Sequence, residues 1–149
     1  MMRELYTQII MDHYRCPRNH GALEHPDLEE HLLNPLCGDE VTVYATFDED
    51  GGVAEARFEG SGCSISQASA SMMTERLAGK SLEEAETEID NFKAMMVGEM
   101  EFPENDELAA LKGVIRYPSR IKCAVLAWTA FSNGLYSGER PGGGGDRDH

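Results

Sequence analysis

Residues 41–58 read as a β-hairpin, and this stretch limits what the chain can fold into more than any other. Val41, Val43, Ala45 and Phe47 alternate with Thr42, Tyr44 and Thr46, Asp48-Glu49-Asp50-Gly51-Gly52 supplies a turn, and a second alternating run follows from Val53 to Phe58. A period of two puts one face of each strand on a core and leaves the other toward solvent. A short first strand is expected near Leu32 and Leu33, after a loop from Arg18 to His31 that shows no period. Beyond the hairpin the chain does not return to strand patterning. Strands followed by a run of helices predict an α+β domain, a small antiparallel sheet with helices packed on it, rather than a doubly wound sheet.

The helices are marked by spacing and by their ends. Leu5, Ile9, Ile10 and His13 recur at helical spacing over residues 2–14, and Cys16-Pro17 ends that helix because proline lacks the amide its ladder needs. Gly60-Ser61-Gly62 is expected to break the second strand of the hairpin. From Ser64 to Leu77 a helix is lined with small residues, Ser66, Ala68, Ser69, Ala70 and Ser71, which let a neighbouring backbone come close. Ser81-Leu82-Glu83-Glu84 resembles a capping box ahead of an apolar stripe of Leu82, Ala85, Ile89 and Phe92 reaching about Met96. Asn105 or Asp106 is placed to cap a short helix to Lys112. Pro118 suits the first position of a final helix running to about Ser132 and closed by Asn133-Gly134, with Trp128 and Phe131 turned inward.

Bulk properties exclude several function classes. The length of 149 residues suits one domain, read here as residues 1–136, with the glycine-rich stretch 137–149 expected to be a disordered tail. The 13 Lys+Arg against 27 Asp+Glu give a net charge of -14, which repels phosphate backbones and anionic headgroups, so neither nucleic acid nor a membrane is an expected partner. No stretch approaches the roughly 18 apolar residues of a membrane span, and the opening MMRELYTQII has the charges of Arg3 and Glu4 before any apolar run. A cytoplasmic protein is expected.

In a reducing compartment, cysteines that are not core filler tend to bind metal or do chemistry rather than pair as disulfides. Cys37 lies in Asn34-Pro35-Leu36-Cys37-Gly38-Asp39, Cys63 follows Gly60-Ser61-Gly62 at the start of a helix, and Cys123 falls within the first two turns of the last helix. A helix N-terminus favours thiolate over thiol, which points most strongly to Cys63. The spacing is not that of a zinc finger, whose ligands come as local CxxC pairs. Ligands from three remote segments require the fold to exist before the site. Three thiolates suit zinc, cuprous ion or an iron-sulfur cluster, and a carboxylate such as Asp39 is the weakest member of such a set. On the residues alone, Cys123 fits a ligand or a buried core thiol equally. His13, His20, His25 and His31 share no motif with a cysteine and are not assigned as ligands. Asp12 and Tyr14 are expected to fix the first helix against the domain or a partner.

The blocks DHYRCPRN (12–19), NPLCGDE (34–40), GSGCSISQASASMMTE (60–75) and RIKCAVLAW (120–128) closely resemble the iron-sulfur assembly scaffold family of IscU, SufU and the NifU N-terminal domain, over residues 2 to about 135. Within it the chain looks nearest to the SufU type. The interval between its second and third motif cysteines is long, Lys122 stands where IscU-type members carry a histidine ligand, and YPSRIK (117–122) replaces their proline-rich chaperone segment. The resemblance implies a SufE/NifU-like fold and zinc held by Cys37, Asp39, Cys63 and Cys123. It implies that Cys37 accepts sulfur from a SufS-like cysteine desulfurase, whose histidine competes for the zinc and frees the acceptor thiol, and that the sulfur passes to downstream iron-sulfur assembly proteins. The alternative within the family is a scaffold on which a [2Fe-2S] cluster, with Cys37, Cys63 and Cys123 as ligands, is built and handed on. Outside these roles stands a structural metal-binding module that docks to partners. Arg120, about one helical turn before Cys123, is a candidate stabiliser of the released thiolate or of Asp39, or else a solvated surface arginine. Cys16 departs from the family pattern and is expected to be an oxidisable loop thiol or a neighbour of the site.

Overall fold

The computed structural model describes residues 2–35 and 38–138. The chain runs α1 (Met2–Arg15), β1 (Leu28–Asn34), β2 (Asp39–Phe47), β3 (Val53–Ser61), α2 (Ser64–Leu77), α3 (Leu82–Met96), a 3₁₀ segment (Glu107–Arg116) and α4 (Pro118–Gly138). The strands form one antiparallel sheet in the order β1-β2-β3, and the helices pack on it, as the α+β reading expects. In β2, Val41, Val43 and Ala45 are buried, and Val43 faces Phe58 of β3 across the ladder. The turn before β3 closes on Asp48, whose Oδ1 accepts the amide N–H of Asp50 and of Gly52, each at 2.9 Å. The glycine-rich stretch expected to be disordered falls, from residue 139, outside the described residues.

Helix α2 is the centre of the helical layer. Ten of its 14 residues are buried, among them Ser66, Ser69, Ser71 and Thr74, because α1, α4, β3 and the 3₁₀ segment surround it. A helix covered on several sides has no amphipathic stripe, so small side chains take the place of a periodic apolar face. Their hydroxyls are satisfied locally or across helices, as buried polar groups must be. Ser69 Oγ donates to the Ala124 carbonyl at 2.6 Å and accepts from Trp128 Nε1 at 2.9 Å. Trp128 in turn stacks on Phe92 of α3, with centroids 4.2 Å apart and planes 9° from parallel. The capping box of α3 forms as expected, Ser81 with Glu84.

Several boundaries differ from the sequence reading. Strand β1 begins at Leu28, earlier than Leu32, because its whole length pairs with β2 from Leu28–Ala45 to Asn34–Asp39. Strand β3 runs through Gly60 rather than breaking there; a Cβ on Gly60 would lie 2.3 Å from the Glu40 carbonyl oxygen, so this glycine permits close backbone approach. Helix α4 continues past Asn133-Gly134 to Gly138, and Gly134 is buried against Leu28, whose side chain a Cβ would meet at 2.7 Å. Gly134 is thus a packing glycine, not a stop. The short helix expected to Lys112 is a 3₁₀ segment reaching Arg116, capped by Asp106, which accepts the Leu108 N–H at 2.9 Å. Leu5, placed on the apolar stripe of α1, is 47% exposed.

Two polar clamps hold the layer. His13 is fully buried, with Nδ1 2.8 Å from Ser71 Oγ and Nε2 2.9 Å from Glu107 Oε1. Ser71 Oγ also accepts the Arg18 N–H at 2.8 Å, so this one hydroxyl links α1, the loop after it and α2, while the Glu107 carboxylate engages the other ring nitrogen. The order serine-histidine-carboxylate is that of a nucleophilic triad, but Ser71 is fully buried and no substrate reaches it. The second clamp is Arg76 of α2, bidentate to Asp106 at 2.9 and 2.7 Å and 2.8 Å from Glu88 of α3. Asp12 pairs with Arg18 at 2.6 Å beyond the end of α1, while Tyr14 is 42% exposed.

Burial raises the Asp106 carboxyl pKa, but the Arg76 hydrogen bonds, the Leu108 amide and the Arg76 charge together bring it below its ordinary value. A carboxyl depressed in the native state contributes stability that is complete above the unfolded carboxyl pKa of about 3.9 and is lost as pH falls through the native pKa. Asp106→Asn is therefore expected to lower stability by about 1–3 kcal/mol at neutral pH, and to flatten the stability loss below about pH 4. Chemical denaturation from pH 2 to 7 measures both.

Candidate metal centre

The centre forms where the β1–β2 connection, the end of β3 and the start of α4 meet. Asp39, the first residue of β2, is 2% exposed. Its Oδ1 accepts the backbone N–H of Cys63 at 3.0 Å, and its Oδ2 lies 3.7 Å from Cys63 Sγ. Gly62 creates this contact. Its φ of +150° suits glycine, and a Cβ there would sit 2.3 Å from Asp39 Oδ1. Gly38, at φ +76°, donates its N–H to the Asn34 carbonyl at 2.8 Å and closes the approach to Asp39. Cys63 is the N-cap of α2, with extended backbone, and its carbonyl accepts from Ser66 Oγ and the Gln67 amide.

Cys123, the sixth residue of α4, is 2% exposed, with Sγ 3.7 Å from the Ser119 carbonyl oxygen. The ligand atoms of Asp39, Cys63 and Cys123 all lie within 4.8 Å of one another. Zinc bonds of about 2.3 Å to sulfur and 2.0–2.2 Å to oxygen set tetrahedral neighbours roughly 3.5–3.8 Å apart, so the group needs only small side-chain movements to share one ion. Two sulfurs and a carboxylate gathered in a sheltered space suit a dication, which would bind the cysteines as thiolates. The donor set fits zinc.

Of the residues singled out in the sequence, Asp39, Cys63 and Cys123 are thus brought together. Cys37, the fourth, lies outside the described residues. Arg120 is exposed on α4 and makes no ion pair among the described residues. Cys16 is an exposed thiol after α1 and is not part of the group. His20 packs edge-on against Phe58, and His31 pairs with Glu40 at 3.1 Å. Missed from the sequence was the proximity of His13 to Glu75 and Glu107, three groups with ligand atoms within 4.8 Å. Both nitrogens of His13 are already engaged by Ser71 and Glu107, so this is the clamp described above.

A mixed thiol-carboxylate centre seated on a three-stranded antiparallel sheet and the N-termini of two helices defines a class of metal-binding α+β domains. Residues 5–137 match the NifU-like N-terminal domain, and the chain belongs to that family. It is 46% identical over 134 residues to the zinc-dependent sulfurtransferase SufU of Bacillus subtilis, covering 88% of this chain and 89% of that protein. It is 41% identical to the iron-sulfur cluster assembly scaffold protein IscU of Streptococcus pyogenes, covering 90% and 84%. Among solved structures, a putative iron-sulfur cluster assembly scaffold protein for the SUF system from Fervidobacterium islandicum superposes with a TM-score of 0.79 at 39% identity, covering 89% and 97%. Among the described residues no helix is long and apolar enough to cross a membrane.

Gly62→Ala is expected to leave the domain folded but push Asp39 away from Cys63, lowering the metal retained against a competing chelator by about tenfold, the equivalent of roughly 1.4 kcal/mol. Retention equal to wild type would show that the Asp39–Cys63 contact does not shape the centre. Asp39→Ala should speed metal exchange and also lower stability by about 1–3 kcal/mol, since the Cys63 amide loses its acceptor.

Proposed function

We propose that this chain is a zinc-dependent sulfur acceptor of iron-sulfur cluster assembly, taking persulfide sulfur from a SufS-like cysteine desulfurase and passing it to downstream assembly proteins. The observation that carries the reading is the convergence of Asp39, Cys63 and Cys123, from three remote segments, in a chain so similar to a zinc-dependent sulfurtransferase. Cys37, Asp39, Cys63 and Cys123 would hold the ion. Bound zinc keeps its thiols as thiolates at neutral pH while muting their nucleophilicity.

Cys37 is the sulfur acceptor in this reading. Only Gly38 lies between it and Asp39 along the chain, a tether of at most about 7 Å. Its thiolate attacks the outer sulfur of the donor persulfide; the new S–S bond forms on Cys37 as the donor's S–S bond breaks, and the electron pair leaves with the donor cysteine thiolate. Asp39 is suited to be the ligand that yields, because a carboxylate is the weakest partner of the set. Arg120, three residues before Cys123 on α4, would supply a cation to negative charge released at the centre.

Purified protein is expected to be colourless, to hold about one zinc per chain, and to stimulate desulfurase turnover. In Cys37→Ala the rate should fall to that of the desulfurase alone. Equal stimulation by metal-free wild type would overturn the reading. The similarity to proteins named IscU scaffolds supports a second reading, assembly of a [2Fe-2S] cluster on the same thiols. Brown protein from anaerobic purification, with its charge-transfer absorption lost in Cys63→Ala, would favour it.

A further inference from the structure

Between the start of α1, the 3₁₀ segment and the start of α4 lies a cleft of about 770 Å³. Ile10, Ile65 and Val114 give it an apolar lining, and Lys112, Arg116 and Arg120 bring three cations to it. In a chain of net charge -14 this is unexpected. Residues 108–138 contain no Asp or Glu at all. Elsewhere Arg18, Arg57 and Arg76 each pair with a carboxylate, whereas the three cleft cations make no ion pair among the described residues. A concave, low-dielectric wall carrying unpaired like charges focuses a positive potential outward.

The structure also constrains the occupant. A free phosphate is commonly cradled by helix N-terminal amides, but α4 begins with Pro118, which has no N–H. The amides of Arg120 and Ile121 are spent on the Tyr117 carbonyl at 2.7 and 3.2 Å. The start of α4 therefore offers few free amides, and the cations set along the wall are the side chains of Lys112, Arg116 and Arg120. Tyr6 and Tyr117 flank them, Tyr117 being 59% exposed, and the buried Tyr6 hydroxyl has no hydrogen-bond partner among the described residues. Tyrosine and arginine around an open apolar floor are the residues that anchor protein partners.

We propose that this cleft docks an acidic, apolar-bearing segment of the protein that donates sulfur. Ile65 lies two residues beyond Cys63 and Arg120 three before Cys123, so a segment seated here holds its owner beside the candidate centre. The identity of the partner rests on the sulfur-acceptor reading; the chemistry of the cleft does not.

Two titrations on the zinc-loaded protein test this, one with the desulfurase and one with a fluorescent dodecapeptide of Asp and Glu around one Leu. Lys112→Glu with Arg116→Glu should weaken both by about tenfold, and added salt should weaken wild-type binding of both. Zinc content should not change. Should that variant fail to fold, Lys112→Gln with Arg116→Gln should still weaken both by about threefold. Unchanged desulfurase affinity in the folded variant overturns the proposal, as does displacement of the peptide by millimolar inorganic phosphate at constant ionic strength, which would mark a small-anion site. Absence of any desulfurase binding by wild type would instead sink the functional reading, and the peptide titration would then decide the cleft by itself.

Discussion

One hydrogen bond joins the two layers of this domain at the point where chemistry is expected: the Asp39 carboxylate accepting the Cys63 amide at 3.0 Å. It ties the first residue of β2 to the N-cap of α2, and it satisfies a helix-terminal donor that has no partner within the helix. The contact exists only because Gly62 has no side chain and can hold φ at +150°. The register of the sheet brings Glu40 opposite Ser61, which carries Asp39 to the end of β3, while Gly60 lets the two strands approach closely. A carboxylate is thereby buried next to a thiol, an arrangement unfavourable for two anions and favourable around a cation.

Much of this was legible in the sequence, and what was legible is local. The hairpin, the capping box of α3 and the placement of Cys63 at a helix start all follow from residues within a few positions of one another. The extent of β1 was not readable, because Leu28 to Glu30 become strand by pairing with Val43 to Ala45. Gly134 was misplaced as a stop for the same kind of reason: its neighbour, Leu28, is over a hundred residues away. His13 looked like an ordinary helix residue until Ser71 and Glu107 appeared at its two nitrogens. The centre was half legible, since the glycines beside Cys37 and Cys63 mark special backbone, while only the fold shows Cys123 near Asp39. The acid-free run 108–138 could be read directly, but it gains meaning only once Lys112, Arg116 and Arg120 are seen to share one cleft.

The extent of the core beyond the centre bears on what the centre can do. Trp128, Phe92, Met73 and Phe131 are fully buried in a core that runs from the sheet through α2, α3 and α4, with Cys123 buried alongside and Cys63 partly exposed. A small zinc finger loses its fold with its ion because the ion is its core. Here the core extends far beyond the ligands, so loss or exchange of one ligand need not unfold the domain. The Arg76–Asp106–Glu88 and His13–Ser71–Glu107 clamps strengthen the same argument, since they fasten α1, α2, α3 and the 3₁₀ segment with charge-assisted contacts remote from the thiols. With the layer fastened at those distant points, Asp39, Cys63 and Cys123 are brought together by β2, α2 and α4 themselves rather than by an ion.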